Sequence, residues 1–257
     1  MHRTRAIRST WLQSGRAALL LSLLVVLGCP DEEARFADLR ERMVETQLAS
    51  SRGGLADPVR DPRVLQAMRE VPRHRFVPAE VVDYAYSDHP LPIGHGQTIS
   101  QPYMVAKMTE LVAPRSGYRV LEVGTGSGYQ AAVLSELVAE VYTIEIVAPL
   151  GERARQLLAE LGYENVRVRI GDGYRGWPDK APFDAIVVTA GADEVPPPLI
   201  EQLKPGGRMV IPVGATLSSQ KLLLVTKAKD PPHAVERREV MEVAFVPLVR
   251  GSEDKRE

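Results

Sequence analysis

The sequence predicts an α/β fold: a doubly wound, mostly parallel sheet with an antiparallel carboxyl-terminal edge, preceded by a helical and loop region. Three observations carry this. Beyond Pro114, apolar runs of strand length alternate with helical stretches of about ten residues, the pattern of right-handed crossover units. The first of those runs leads into a glycine-rich loop that opens a helix. The last two runs, Lys221 to Thr226 and Val240 to Val249, have no helix between them, which suits an antiparallel edge.

Taken in order, residues 1–29 stand apart. Arg3, Arg5, Arg8 and Arg16 precede an apolar run from Ala17 to Leu27 that closes at Gly28-Cys29, the layout of a secretory signal with a lipobox-like end. Roughly 11 apolar residues fall short of the 20 or so that a spanning helix needs. Three readings stand: a lipoprotein signal with Cys29 lipidated, a plain or uncleaved signal, or a start site set too early, with Met43 the true start and Asp31 to Ser51 partly untranslated. Residues 30–114 form an amino-terminal region. Its helical pattern from Phe36 to Tyr86, with Phe36, Leu39, Met43 and Leu48 at helix-like spacing, is broken by Gly53-Gly54 and four prolines. Pro90 to Pro102 is rich in turn-formers and hydroxyls and reads as an ordered loop, and Tyr103 to Val112 as a helix.

Residues 115–250 form the α/β core. Strands are predicted at Arg119–Val123, Val141–Ile146, Val166–Ile170, Ala185–Thr189 and Arg208–Val213. Helices are predicted at Tyr129–Ala139 and Pro149–Leu161, with a short one near Pro198–Leu203. Residues 251–257 are a polar tail.

Composition narrows the function. Thirty-two basic against thirty-three acidic residues give a net charge of -1, so no global field draws the chain to nucleic acid. The lone cysteine makes neither an internal disulfide nor a paired-thiolate zinc site. At 5% aromatic residues, a base-stacking platform is not expected.

The glycine loop is Glu122-Val-Gly-Thr-Gly-Ser-Gly128. A side chain at Gly124 or Gly126 would hold a ligand off the backbone, and the turn calls for glycine's backbone freedom. Its G-x-G-x-G spacing differs from the G-x-G-x-x-G dinucleotide fingerprint and favours a cofactor without pyrophosphate. Glu145, about twenty residues on at a strand end, can accept hydrogen bonds from both ribose hydroxyls and would repel a 2′-phosphate. Asp172, in Gly171-Asp-Gly173 at the same sheet edge, can meet an adenine amino group, and Glu122 can attract a cation. A ligand with ammonium, sulfonium, ribose and adenine but no phosphate is S-adenosylmethionine. With these motifs the chain resembles the Rossmann-like class I methyltransferases.

A second set of motifs narrows the family. Leu91-Pro-Ile-Gly-His-Gly-Gln-Thr-Ile-Ser-Gln-Pro-Tyr-Met104 resembles the signature of protein-L-isoaspartate O-methyltransferases. So do Val71-Pro-Arg-His-Arg-Phe-Val-Pro78, Gly171-Asp-Gly-Tyr-Arg-Gly-Trp177, Pro182-Phe-Asp-Ala-Ile-Val-Val-Thr-Ala190, Leu203-Lys-Pro-Gly-Gly207 and Ile211-Pro-Val-Gly214. The resemblance runs from about residue 34 to 250. His95 departs from it, standing where many members have glutamine, and so does the signal-like extension. The resemblance implies methyl transfer from S-adenosylmethionine to the α-carboxylate of isoaspartyl residues in damaged proteins, with no metal, by a cytoplasmic monomer. Export as a membrane-anchored lipoprotein is the competing location. Ser100 is implied as the active-site residue, and Thr98, Ser100, Val213 and Gly214 as substrate contacts. Gln97, Thr98, Glu122, Gly124, Thr125, Gly126, Glu145, Ile146, Asp172 and Gly173 are implied around the cofactor.

The chemistry agrees. A carboxylate is already ionised near neutral pH and needs no general base, only alignment with the methyl carbon, which hydroxyl donors can supply without quenching its charge. The bland alternative for Thr98 and Ser100 is that they cap a turn or the helix after Pro102. His74, His89 and His95 lack ligand spacing and read as hydrogen-bonding loop residues, Pro196-Pro-Pro198 as a helix entry, and Arg237-Arg238 as a solvated turn. The rival functions are a methyltransferase for another acceptor and a non-catalytic lipoprotein that keeps the fold.

Overall fold

The structure is a computed structural model and describes residues 30–50, 57–215 and 219–251. The signal-like segment, the Gly53-Gly54 break and the polar tail beyond Gly251 lie outside the described residues. Among the described residues no helix is long and apolar enough to cross a membrane.

The chain opens with helix α1 (Pro30–Met43), which runs on through one wider π-type turn (Val44–Leu48). Helix α2 (Pro62–Glu70) follows, capped at its start by the Asp61 carboxylate, which accepts from Arg63 N at 2.9 Å. Two 3₁₀ turns (Arg73–Phe76 and Ala79–Tyr84) lead to the stretch expected to be a loop. It is instead a small hairpin of β1 (Leu91–Gly94) and β2 (Gln97–Ile99), turned by Gly94, His95 and Gly96, all at positive φ. Leu91, Ile93 and Ile99 point inward from it, but strands this short leave too few alternations to register in sequence. Helix α3 (Pro102–Leu111) completes the region.

The seven-stranded sheet has the order β5-β4-β3-β6-β7-β8-β9. Its parallel strands are β3 (Arg119–Val123), β4 (Glu140–Glu145), β5 (Val166–Ile170), β6 (Phe183–Val188) and β7 (Leu203–Val213). Helices α4 (Tyr129–Ser135) and α5 (Ala148–Glu160) cover one face, and α6 (Pro197–Gln202) the other, entered through its prolines as expected. Both faces are buried, so β3 and β6 carry apolar residues on each side. Val120, Ala185 and Val187 join the core under α3 and α4, while Leu121, Val123, Ile186 and Val188 join the core under α6.

The carboxyl-terminal edge is antiparallel, as expected, but its second strand is misplaced by the sequence reading. β8 (Gln220–Lys227) pairs with β9, which spans Val235–Val243 and not Val240–Val249. Arg237 and Arg238 are therefore exposed residues within an edge strand, where charge discourages further pairing, and not a turn. Residues 245–251 leave the sheet and return across its edge. Helix α4 also stops at Ser135, short of the predicted Ala139, and β7 starts at Leu203, ahead of the predicted Arg208.

The helix-like spacing of Phe36, Met43 and Leu48 is matched by burial: each lies at 3% exposure or less in the core. Phe36 stacks on His74 with ring centroids 4.2 Å apart, and the His74 Nδ1 lies 2.8 Å from the Tyr86 hydroxyl. Phe36 is thus a core residue of the fold. Replacing Phe36 by alanine is expected to cost roughly 3 kcal/mol in a urea-unfolding measurement, and a chain begun at Met43 should lose at least as much.

Candidate active site

The sheet order reverses between β3 and β6, and ligands bind at the carboxyl ends of strands beside such a switch point. A cleft lies there, lined from the hairpin, the glycine loop, the ends of β4 and β6, and residues 246–249. Of the residues singled out from sequence, it collects Gln97, Thr98, Ser100, Glu122, Gly124, Thr125, Gly126, Glu145, Ile146 and Gly173.

The loop after β3 is built from left-handed conformations at Gly124, Gly126 and Gly128. A Cβ on Gly124 would also run into the Thr189 hydroxyl, which donates to the Gly124 carbonyl oxygen at 2.7 Å. Gly124 N and Thr125 N both donate to the Ile144 carbonyl oxygen, at 2.9 and 3.1 Å, and Gly126 N donates to Glu145 Oε2 at 2.7 Å. With these N–H groups committed to protein acceptors, one of them a carboxylate, the loop is a poor phosphate cradle. That agrees with the spacing argument for a cofactor without pyrophosphate.

Glu145 ends β4 with Oε1 accepting from Val147 N at 2.9 Å and Oε2 from Gly126 N. Each oxygen keeps a lone pair for a diol in the cleft. Asp172 is held by backbone donors at both oxygens, as Glu145 is. Its Oδ1 accepts from Tyr174 N and its Oδ2 from Gly251 N, both at 2.8 Å, so it caps a 3₁₀ turn (Gly173–Arg175) and fastens Gly251. It lines an adjoining depression that shares Ile146, Val147 and Val249 with the cleft.

Glu122 is the unusual group. On β3 it faces the same side as Val120, opposite Thr143 of β4, at a position that is otherwise core. It is fully buried, and neither carboxylate oxygen has a hydrogen-bond partner among the described residues. Burial pushes its carboxyl up to about 8; the Thr143 hydroxyl pulls the other way, while the neighbouring Glu145 charge adds to the rise. The Thr143 hydroxyl is paired with Thr125 Oγ1 at 2.6 Å and leaves the Glu122 oxygens unmet. An uncompensated acid in a cleft is a site for a cation.

The hairpin brings the hydroxyls. Ile93 packs toward Gly126, and Arg153 of α5 donates to the Ile93 carbonyl oxygen at 2.6 Å, so the hairpin is clipped onto the cofactor side. Below it, Asp88 accepts from Gln101 Nε2 at 2.7 Å. The capping alternative for Thr98 and Ser100 fails. Gln101 is the residue at the start of α3 and makes no side-chain cap, and among the described residues neither hydroxyl has a hydrogen-bond partner. Thr98 is exposed and Ser100 half-buried, both on the cleft.

Val213 and Gly214 are not in the cleft lining. Val213 is the last residue of β7 and Gly214 follows it; Gly214 N donates to the Ala192 carbonyl oxygen at 2.9 Å, two residues past cleft-lining Ala190. The sequence reading missed Tyr129, Gln130, Thr189, Ala190 and Val246 to Val249. The signal for Thr189 and Ala190 was available, since they end the strand beside β3. That for 246–249 was hidden by an apolar alternation that reads as strand. This strap is pinned by Gly191 N to the Val246 carbonyl oxygen at 2.8 Å and Leu248 N to the Gly191 carbonyl oxygen at 2.7 Å. Buried Gln220 holds both backbone groups of Phe245, at 2.7 and 3.0 Å.

A doubly wound sheet with a phosphate-averse glycine loop, a diol-ready glutamate and a cation-seeking buried acid at the switch point defines a class I methyltransferase. The residues fit S-adenosylmethionine, and among the described residues no group of three or more His, Cys, Asp or Glu could hold a metal. The comparisons go further. The family model for protein-L-isoaspartate(D-aspartate) O-methyltransferase (PCMT) matches residues 54–253, and the chain belongs to that family. It is 58% identical over 234 residues to a protein-L-isoaspartate O-methyltransferase of Opitutus terrae, covering 90% of this chain and 96% of that one. It is 61% identical over 191 residues to one of Polaromonas sp. strain JS666, covering 74% and 90%. A solved protein-L-isoaspartate O-methyltransferase superposes with a TM-score of 0.69 at 33% identity; the match covers 82% of this chain and 65% of that chain. The Plasmodium falciparum beta-aspartate methyltransferase (PCMT), solved in complex with S-adenosyl-L-homocysteine, superposes at 0.67 with 25% identity, covering 82% and 99%.

Two outcomes follow from the geometry. Gly124→Ala should remove S-adenosylhomocysteine binding in calorimetry, because the added methyl meets Thr189 and the backbone cannot hold its φ of +99° without strain. Glu122 binds its proton more tightly folded than unfolded, so its contribution is present below its ordinary value of 4.5 and is lost as pH rises toward 8. Glu122→Gln should therefore flatten the fall in stability over that window and stabilise the ligand-free protein by about 1–3 kcal/mol at its alkaline end, read by urea unfolding at several pH values.

Proposed function

We propose that this protein methylates the α-carboxylate of L-isoaspartyl residues in damaged proteins, using S-adenosylmethionine. The observation that carries the reading is the pair of uncommitted hydroxyls, Thr98 and Ser100, on a hairpin clipped to the cofactor loop; family membership supports it. The cofactor, when bound, supplies an electrophilic methyl group on a sulfonium. Ser100 and Thr98 donate hydrogen bonds to the incoming carboxylate and orient one of its oxygens toward that methyl. No residue need take a proton, because the carboxylate is already ionised. Glu122 and Glu145 hold the cationic and ribose parts of the cofactor, and the strap 246–249 closes the cleft wall against water. Esterification makes the α-carbonyl a better electrophile for the adjoining backbone amide, whose nitrogen displaces methanol to close a succinimide; water then reopens the ring, in part to normal aspartate.

The layout of residues 1–29 supports membrane attachment through Cys29. Loss of a lipid-labelled membrane fraction in Cys29→Ala is the expected result, and an unchanged soluble distribution would remove the anchor from the account.

The reaction is tested with methyl-labelled cofactor and two peptides of one sequence, one isoaspartyl and one aspartyl. Base-labile label on the isoaspartyl peptide alone is expected, and labelling of neither by a cofactor-binding protein would defeat the reading. Ser100→Ala should lower kcat/KM by roughly tenfold or more while sparing S-adenosylhomocysteine affinity.

A further inference from the structure

Glu122 is not the only side chain that brings an unmet acceptor to the cleft. Gln130, on the first turn of α4, is 6% exposed and lines the same cavity. Its amide is oriented by a short chain of hydrogen bonds. The Thr109 hydroxyl of α3 donates to the Val105 carbonyl oxygen at 2.8 Å, so its oxygen is left to accept from Gln130 Nε2, also at 2.8 Å. That turns Nε2 toward α3 and leaves Oε1 buried without a partner. Folded proteins satisfy nearly all such atoms, and an unmet acceptor on a cleft wall points to a donor that arrives with the ligand.

The matching donor can be placed along the cleft. Glu145 and Gly173 mark its β4–β5 end, where a nucleoside fits. Gln130 bonds to Thr109 in the last turn of α3, the helix whose Val105 also lines the cleft, which puts it on the α3 wall and not at the Glu145 and Gly173 end. Away from the nucleoside end the cofactor carries its amino-acid tail, whose ammonium is cationic and has donors only.

We propose that Gln130 is a cofactor-binding residue whose Oε1 accepts a hydrogen bond from the α-ammonium of the S-adenosylmethionine tail, a group it shares with Glu122. The inference rests on the methyltransferase reading of the cleft and deepens it. An amide does not exchange protons at ordinary pH, so Gln130 acts on affinity and tail orientation and takes no part as acid or base.

Calorimetric titration separates this role from a packing one. Gln130→Met keeps the side-chain volume, and Thr109→Val removes the acceptor that orients the amide without touching the cleft. Each is titrated with S-adenosylhomocysteine and with 5′-methylthioadenosine, which has the nucleoside and thioether but no amino-acid tail. Gln130→Met should weaken S-adenosylhomocysteine by roughly tenfold or more and leave 5′-methylthioadenosine unchanged, with an unaltered or higher melting temperature. Thr109→Val should show a smaller loss of the same selectivity. Equal weakening of both nucleosides, or of neither, would overturn the assignment. A wild-type protein that binds neither would instead remove the cofactor reading itself.

Discussion

A carboxylic acid that the protein buries and leaves without a partner is the constraint around which the site is arranged. Glu122 sits on the central strand, under α3 and α4, between Thr143 and Val187 in register and on the same face as apolar Val120 and Ala185. Folding gains nothing from an acid there, since burial without a hydrogen bond costs a few kcal/mol relative to a satisfied or apolar group. The cost is tolerable because the surrounding sheet is packed on both faces and fixes the strand regardless. The return comes when a cationic ligand enters, since a charge pair shielded from water is stronger than an exposed one.

The other parts of the site follow from holding a ligand against that acid. The glycine loop must pass close to the strand ends, so Gly124 carries no side chain beside Thr189 and spends its N–H on Ile144. Glu145 ties the loop to β4 while keeping lone pairs for a diol. The hairpin lies on the loop through Ile93 and Arg153, so the hydroxyls that would receive a substrate are positioned relative to the cofactor, not relative to solvent. The strap 246–249, pinned by Gln220, Gly191 and Asp172, forms the remaining wall.

Much of this was legible in the sequence. The central parallel strands showed because they are buried on both faces and read as apolar runs, the edge strand β5 because its apolar residues alternate with arginine, and Glu122, Glu145 and the glycines because their chemistry is local. What escaped depends on contacts between distant segments. The hairpin 91–99 is too short for a period to emerge. Residues 245–249 alternate like a strand, yet Gln220 captures both backbone groups of Phe245 and draws the chain off the sheet. The bond from Gly251 to Asp172 was hidden because nothing in the neighbourhood of Asp172 shows that Gly251 returns to it. Gln130 looked like one more residue of a helix; only the bonds from Thr109 give its amide a direction.

The claim that the cleft is built around a buried, protonated acid awaiting a cation is tested most directly by counting protons. S-adenosylmethionine is titrated into the protein near pH 7 in buffers of different ionisation enthalpy. With the Glu122 carboxyl at about 8 when the cleft is empty, binding should release on the order of one proton, and Glu122→Gln should abolish that release. Binding of equal affinity with no proton exchange, or an undiminished release in the variant, would contradict the account.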